Sequence, residues 1–173
     1  AGELDNLAAR ARGEVTHRLL QTIPPADRLP GEECVAAALV GVGVPRTLAR
    51  DLAPAILAEA AASLEDPFLQ NLLKPESAVS EWALEDQPVP GVIRRGRLDL
   101  LAFDGAHWWL VDFKTSRPPA GENWDDFLSK EAEKYRPQLL AYREMTAKLK
   151  GIAPPESIRL ALYFTACQKA VEL

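Results

Sequence analysis

Three charged side chains stand inside two apolar runs near the middle of the chain, where a strand pattern would bury them. Asp99 lies in the run RLDLLAF, and Asp112 and Lys114 lie in HWWLVDFKT. Burying an unpaired charge is unfavourable, and burying two like charges is worse. A divalent cation between the two aspartates would remove their repulsion. Carboxylate oxygens with open water positions suit Mg²⁺ or Mn²⁺, so the pattern indicates a site for one of these ions.

The spacing of these residues puts them on one face of a predicted hairpin. The dipeptide Asp104-Gly105 between the two runs predicts a tight turn. With a two-residue turn, Asp99 lies diagonal to Asp112 at about 7–8 Å. Both share a face with Lys114, because side chains alternate along strands. A four-residue loop would keep this parity, whereas a three-residue loop would break it.

This arrangement is suited to phosphodiester hydrolysis. A bound cation polarises a phosphoryl oxygen and lowers the pKa of a bound water, and a neighbouring lysine orients that water and offsets charge on the phosphate. The structural alternative is that Asp99 ends a strand and that Asp112 and Lys114 form a solvated pair on an exposed edge. The apolar run WWLVDFKT argues against an exposed edge, but the residues alone leave both interpretations open.

The elements that must position these side chains change in type along the chain. Residues 1–75 have helical periodicity, and from residue 76 the period becomes two. We therefore expect one α/β domain over 1–173, with a helical segment 1–75 and an α/β core 76–173. Helices are predicted at 3–23, 31–43, 46–64, 66–74, 124–136 and 137–150, and strands at 77–86, 97–103, 107–113 and 157–166. Pro54 either kinks the third helix or begins its second half.

Composition limits the partners of the chain. With 173 residues and a net charge of -5, it does not hold nucleic acid by bulk charge, so a local patch, a metal ion or another domain must help. Two cysteines exclude a four-cysteine iron–sulfur cluster built from this chain alone. We expect no membrane span and no secretory signal, and hence a cytoplasmic, bacterial-type location. The missing initiating Met indicates a piece of a longer protein.

Five segments, in order, resemble one known family. They are RGEVTHRLL, SEWAL, GRLD, VDFKT and QLLAY, which contain His17, Asp99, Asp112, Lys114, Gln138 and Tyr142. Together they are similar to the PD-(D/E)XK nuclease superfamily. Within it they most resemble the RecB-type nuclease domain at the C-terminal end of UvrD-like helicase–nucleases such as AddA and RecB.

The resemblance implies a fold and a set of site residues. The fold would be restriction-endonuclease-like: a mixed sheet with a central hairpin, flanked by helices and preceded by an N-terminal helical segment. Asp99 and Asp112 would bind the metal, and Lys114 would be the catalytic lysine. His17 and the backbone carbonyl of Phe113 would complete the metal ligands.

Four further residues are predicted to flank the site. The resemblance places Gln138 and Tyr142 there, and their spacing of four puts both on one helical face. Arg97 and Arg117 belong to the clustered cations near the site, which either meet phosphates or solvate strand ends.

The function implied is that of an Mg²⁺- or Mn²⁺-dependent deoxyribonuclease, expected to act as an exonuclease on double-strand-break ends. Its partners would be DNA and helicase motor domains in the same parent chain or in a partner subunit. The chain has no G-x-x-x-x-G-K-[ST] pattern and therefore no P-loop ATP site of its own. Two alternatives remain: a noncatalytic DNA-binding or scaffolding module of the same fold, and a free-standing repair or phage-defence nuclease.

Overall fold

Helices come first along the chain, and the strands follow. A computed structural model describes residues 2–21, 29–74 and 78–173. The helices before the sheet in these ranges are α1 (Gly2–Gln21), α2 (Glu32–Gly41), α3 (Arg46–Glu65) and α4 (Pro67–Leu72). The Asp66 side chain caps α4 by accepting hydrogen bonds from two backbone N–H groups, and Pro54 lies inside a continuous α3. None of the described helices is both long and apolar enough to cross a membrane.

One mixed sheet contains the strands described in residues 78–173. They are β1 (Ala78–Val89), β2 (Val92–Phe103), β3 (Trp108–Lys114), β4 (Ile158–Phe164) and β5 (Lys169–Glu172), and they lie in this order across the sheet. Among the strand pairs described in residues 78–173, only β3–β4 is parallel, and helix α5 (Trp124–Lys150) connects those two strands. A parallel pair requires such a crossover. The predicted α/β class with a mixed sheet is confirmed.

Two details of the strand prediction are wrong. The strand expected at 77–86 continues through Pro88, and β2 begins at Val92 instead of Arg97, so β1 and β2 form a longer hairpin with the turn at Gly91. The prediction ended the chain with β4 and missed β5. That strand has four residues and is mostly exposed, so it lacks the buried alternation on which sequence-based detection depends.

Helices cover both faces of the sheet. On one face, α5 packs through Phe127 and Leu128 against Leu110 of β3 and its neighbours. On the other face, residues of α3 and α4 pack against Val111 and Tyr163. The end of β3 is therefore held between two helical layers, with α1 approaching it from one side and α5 from the other.

Helix α5 is one helix of 27 residues, whereas the sequence predicted two helices that meet at Pro137. A proline inside a helix removes one hydrogen bond and crowds the preceding turn, at a cost of about 3 kcal/mol. Leu128 before the proline and Leu139 after it both belong to the core on the same sheet face. Burial of both halves on one surface offsets the local penalty and keeps the helix continuous.

A buried carboxylate joins α1 and α3 to the ends of β3 and β4. Glu59 of α3 is 7% exposed, and its Oε2 accepts hydrogen bonds from Arg12 and, at 2.7 Å, from Arg117. Its Oε1 accepts one from the Thr165 hydroxyl, and the backbone N–H of Thr165 donates to the Lys114 carbonyl at 2.9 Å. Burial opposes ionisation of Glu59, but the hydrogen bonds from Thr165 and Arg12 hold its pKa below the usual value. Glu59 therefore links three segments that border the end of β3.

Glu59→Gln is expected to lower the free energy of unfolding by roughly 3 kcal/mol at pH 7, because it leaves the largely buried Arg12 guanidinium without its counter-charge. The folded-state pKa of Glu59 is lowered, so its stabilisation is complete above the unfolded value of 4.5 and is lost as the pH falls through the folded value. Urea unfolding should show the difference from wild type shrinking below that pH. The control is Glu133→Gln, which removes an exposed ion pair with Arg136. Equal losses in both variants would contradict the prediction.

Candidate active site

The hairpin that carries the two aspartates has a four-residue loop. Phe103 pairs with Trp108 and Leu100 pairs with Val111, so the predicted two-residue turn is wrong. The described β2–β3 pairs end at Leu100 and Val111, so Asp99 and Asp112 lie directly beyond the last pair. The four-residue loop keeps the parity on which the shared face depends.

The carboxylate of Asp104 explains the loop length. Its Oδ1 accepts hydrogen bonds from the backbone N–H groups of Ala106 at 2.8 Å and His107 at 2.7 Å, and its Oδ2 accepts one from Trp109 Nε1 at 2.7 Å. The bonds from the His107 backbone, the Trp109 ring and the Ala106 backbone lower the pKa of Asp104 to about 2. Asp104 thus closes an aspartate turn, with Gly105 at a φ of 102°, instead of forming a two-residue hairpin.

The two aspartates differ in their surroundings. Asp99 Oδ2 accepts a hydrogen bond of 2.8 Å from the Phe113 backbone N–H, just beyond the last described β2–β3 pair. Asp112 is 8% exposed, and burial raises its pKa. The Lys114 charge acts in the opposite direction, and the negative charge of Asp99 adds to the increase. An ionised Asp112 is thus under electrostatic strain that a bound cation would relieve.

Lys114 points along the same face as Asp112, as the alternation predicts. Its Nζ lies 2.7 Å from Asp112 Oδ2 and 3.5 Å from the centroid of the Tyr135 ring on α5. The face of an aromatic ring attracts an ammonium group, so Tyr135 helps to hold the lysine in place. Sequence reasoning missed Tyr135. The signal was its helical spacing, three residues before Gln138 and seven before Tyr142.

His17 reaches the carboxylates from α1. Its Nδ1 lies 3.6 Å from Asp99 Oδ1, and its ring meets the Phe113 ring edge-on at 6.2 Å. Burial lowers the pKa of His17, but Asp99, Asp112 and the Phe113 backbone outweigh that effect and raise it. The fold therefore brings His17 to the carboxylates, while its role as a ligand, like that of the Phe113 carbonyl, stays a prediction.

Helix α1 packs closely against the segment after β3, and a cavity adjoins this contact. A Cβ at Gly13 would lie 3.1 Å from Thr115 Oγ1, so the small residue lets α1 pack tightly against the segment that follows Lys114. The adjoining cavity has a volume of about 630 Å³. It is lined by Gly13, Glu14, His17, Arg18, Gln21, Arg97 and Asp99. Asp99 and His17 are thus open to solvent through this cavity.

The four other residues predicted to flank the site lie in three different places. Gln138 Nε2 donates to the Tyr142 hydroxyl at 2.9 Å, and the Tyr142 ring lies directly over Gly96 of β2. Arg97 lines the cavity with His17 and Asp99. Arg117 instead contacts Glu59 and lines a different cavity.

Gly96→Ala is expected to lower the free energy of unfolding by about 1–3 kcal/mol, because a Cβ at this position would overlap the Tyr142 ring. In a Tyr142→Leu background the same change should cost clearly less, and a double-mutant cycle in urea unfolding measures the difference. Gly41→Ala is the matched control, since a Cβ there meets no atom within 4 Å. The absence of coupling between positions 96 and 142 would contradict the prediction.

The donor set fits a hard divalent cation, although the side chains alone do not complete a site. In residues 2–21, 29–74 and 78–173, no three His, Cys, Asp or Glu side chains are grouped closely enough to hold a metal ion. The residues that meet at the end of β3 nevertheless offer carboxylate oxygens and an imidazole nitrogen, which are ligands for Mg²⁺ or Mn²⁺. Lys114 Nζ contacts Asp112, and His17 Nδ1 lies 3.6 Å from Asp99 Oδ1.

Comparison with known proteins bears on this geometry. A family model described as the PD-(D/E)XK nuclease superfamily matches residues 2–172, and it agrees with the predicted restriction-endonuclease-like fold. The match does not single out RecB-type or helicase-associated members. None of the curated proteins compared matches the sequence. The crystal structure of protein VC1899 from Vibrio cholerae is similar at 12% identity with a TM-score of 0.35, over 95% of this chain and 48% of that chain.

Proposed function

Because the chain belongs to the PD-(D/E)XK nuclease superfamily, we propose that it is a metal-dependent nuclease domain that hydrolyses phosphodiester bonds of DNA. The observation that carries this proposal is the convergence of Asp99, Asp112 and Lys114 at the end of β3, with the lysine 2.7 Å from the buried carboxylate. These are the residues that match the family pattern.

The residues would divide the chemistry between them. Asp99 and Asp112, with His17 and the Phe113 carbonyl, would hold Mg²⁺ or Mn²⁺. The cation supplies polarisation of the phosphoryl oxygen and a more acidic bound water. Lys114, held by Asp112 and Tyr135, orients the attacking water and offsets negative charge that develops on the phosphate. The imidazole of His17 is a softer ligand than carboxylate, which favours Mn²⁺ over Mg²⁺.

The setting we propose is a helicase–nuclease that processes double-strand-break ends in the cytoplasm, with exonuclease action. The order of the matching segments, RGEVTHRLL to QLLAY, supports the RecB-type assignment. The net charge of -5 indicates that the isolated domain would bind DNA weakly and lose it with added salt. Another domain would therefore have to assist DNA binding. A motor domain in the same chain or in a partner subunit would deliver the strand.

Two other functions make different predictions. A noncatalytic DNA-binding or scaffolding module of the same fold would bind DNA and leave it uncut. A free-standing repair or phage-defence nuclease would cut efficiently without a motor. The presence of Asp99, Asp112 and Lys114 together favours a catalytic function, since a binding module has no use for all three.

The test is cleavage of end-labelled single-stranded DNA, double-stranded DNA and RNA of the same sequence. Each substrate is incubated with the protein in Mg²⁺, in Mn²⁺ and in excess chelator. We expect cleavage of DNA that requires the metal and stops with chelator, and laddering from one end if the domain is an exonuclease. Cleavage in chelator would refute the mechanism, and intact DNA under all conditions would refute the function.

A further inference from the structure

We propose that Arg12 and Arg117 form a phosphate-binding site that holds the backbone of the substrate strand beside the point of cleavage. The inference rests on the proposed nuclease function and deepens it, because it names a second contact with the strand. Its starting point is the ionic cluster around Glu59, which the chemistry at Asp99 and Asp112 does not use.

The cluster borders a separate cavity of about 300 Å³. Its lining comes from α1, α3 and the segment after Lys114: Ala8, Ala9, Arg12, Leu52, Thr115, Ser116 and Arg117. The first cavity begins at Gly13, so the two openings follow one another along α1. Thr115 and Arg117 come directly after the predicted catalytic lysine. The second cavity is therefore bordered by the chain segment that continues from Lys114.

The negative charge of the cluster is buried, and its two positive charges lie nearer the surface. Both guanidinium groups donate to the same Oε2 of Glu59, whose side chain is 5% exposed. The side chains of Arg12 and Arg117 are 21% and 48% exposed. One buried carboxylate therefore lies beneath two cations, which leaves the cluster with a charge of +1. A guanidinium has five N–H donors, so each arginine can bind Glu59 and still offer donors to a phosphate.

The walls of the cavity offer further contacts to a phosphate group. Ala8 and Ala9 leave room beside the guanidinium groups, and Thr115 and Ser116 bring two hydroxyl-bearing side chains to the same wall. Arginine, hydroxyl and backbone N–H groups are common contacts of phosphate oxygens. In a chain with a net charge of -5, a local positive site of this kind is what the delivery of a polyanion requires.

The test changes charge at Ala9, an exposed α1 residue on the cavity wall outside the Glu59 cluster. Ala9→Glu should weaken binding of fluorescein-labelled single-stranded DNA about fivefold in chelator, and Ala9→Lys should strengthen it by a similar factor. Arg117→Gln should reduce the slope of log affinity against log salt by about 0.7, as expected for one lost phosphate contact. Anisotropy titrations at several salt concentrations measure both effects.

Matched changes at Ala106 provide the control. This exposed residue lies in the β2–β3 loop, at the opposite end of β3 from Lys114, so Ala106→Glu and Ala106→Lys alter net charge equally and should leave DNA affinity unchanged. With Mg²⁺ present, Ala9→Glu should raise KM and Ala9→Lys should lower it, with kcat unchanged in both variants. Equal effects at positions 9 and 106, or none at position 9 in a protein that cleaves DNA, would overturn the phosphate site alone. A wild-type chain that neither binds nor cleaves DNA would overturn the nuclease function as well.

Discussion

Lys114→Ala is expected to reduce the rate of DNA cleavage by about 10²- to 10³-fold while the fold stays intact. The amine lies 2.7 Å from Asp112 Oδ2 and 3.5 Å from the centre of the Tyr135 ring, so its position is set by both groups. Alanine would remove this ammonium group and leave the negative charge that develops on the phosphate without a nearby lysine.

The measurement is single-turnover cleavage of end-labelled DNA, with thermal unfolding as the check on folding. Lys134→Ala is the matched control, because Lys134 Nζ lies 4.7 Å from the same Tyr135 ring but pairs with Glu131 instead of Asp112. We expect the control to keep its activity. Full activity in Lys114→Ala would show that the lysine is not part of the reaction.

Asp112→Asn is expected to abolish both cleavage and stabilisation by metal. A ligand that binds only the folded protein stabilises it by about 2.7 kcal/mol at a concentration of 100 times Kd. Wild type should therefore show a rise in Tm with added Mn²⁺ that the variant lacks. Burial raises the pKa of Asp112, so protons compete with the metal and the rise should diminish as the pH falls towards that pKa.

The control for this experiment is Asp125→Asn, since the Asp125 side chain is 90% exposed at the start of α5. The control should keep the full metal-induced rise in Tm. Because the readout is thermal, it separates metal binding from catalysis. A rise in Tm of equal size in Asp112→Asn would place the metal elsewhere.

The proximity of the two aspartates could be predicted from the sequence, whereas the loop between them could not. Strand alternation has a period of two and tolerates any even loop, so Asp112 and Lys114 share a face whatever the turn, and the Phe113 backbone N–H holds Asp99 beside them. The loop length depends on three hydrogen bonds to the Asp104 carboxylate, and an Asp-Gly dipeptide does not reveal them.

Contacts between distant segments were the hardest to predict from the sequence. Helical periodicity allowed His17 to face the core boundary, but only the family resemblance pointed to its meeting with Asp99. Glu59 stands in an alanine-rich helix without any local pattern that marks it as a buried ion-pair partner. The unbroken α5 was missed for a related reason: Pro137 is a local signal, and packing on the sheet overrides it.

The parallel pairing of β3 with β4 also decides when the proposed site is complete. Every predicted catalytic residue precedes β4 in the chain, yet β3 lacks one of its two neighbours until β4 pairs with it. The Thr165–Glu59 contact that follows spans 106 residues. Contacts of such separation form late, because a long loop must close first. A growing chain would thus carry all the predicted catalytic groups before β4 was made, and the proposed nuclease site would be complete only after β4 had been added.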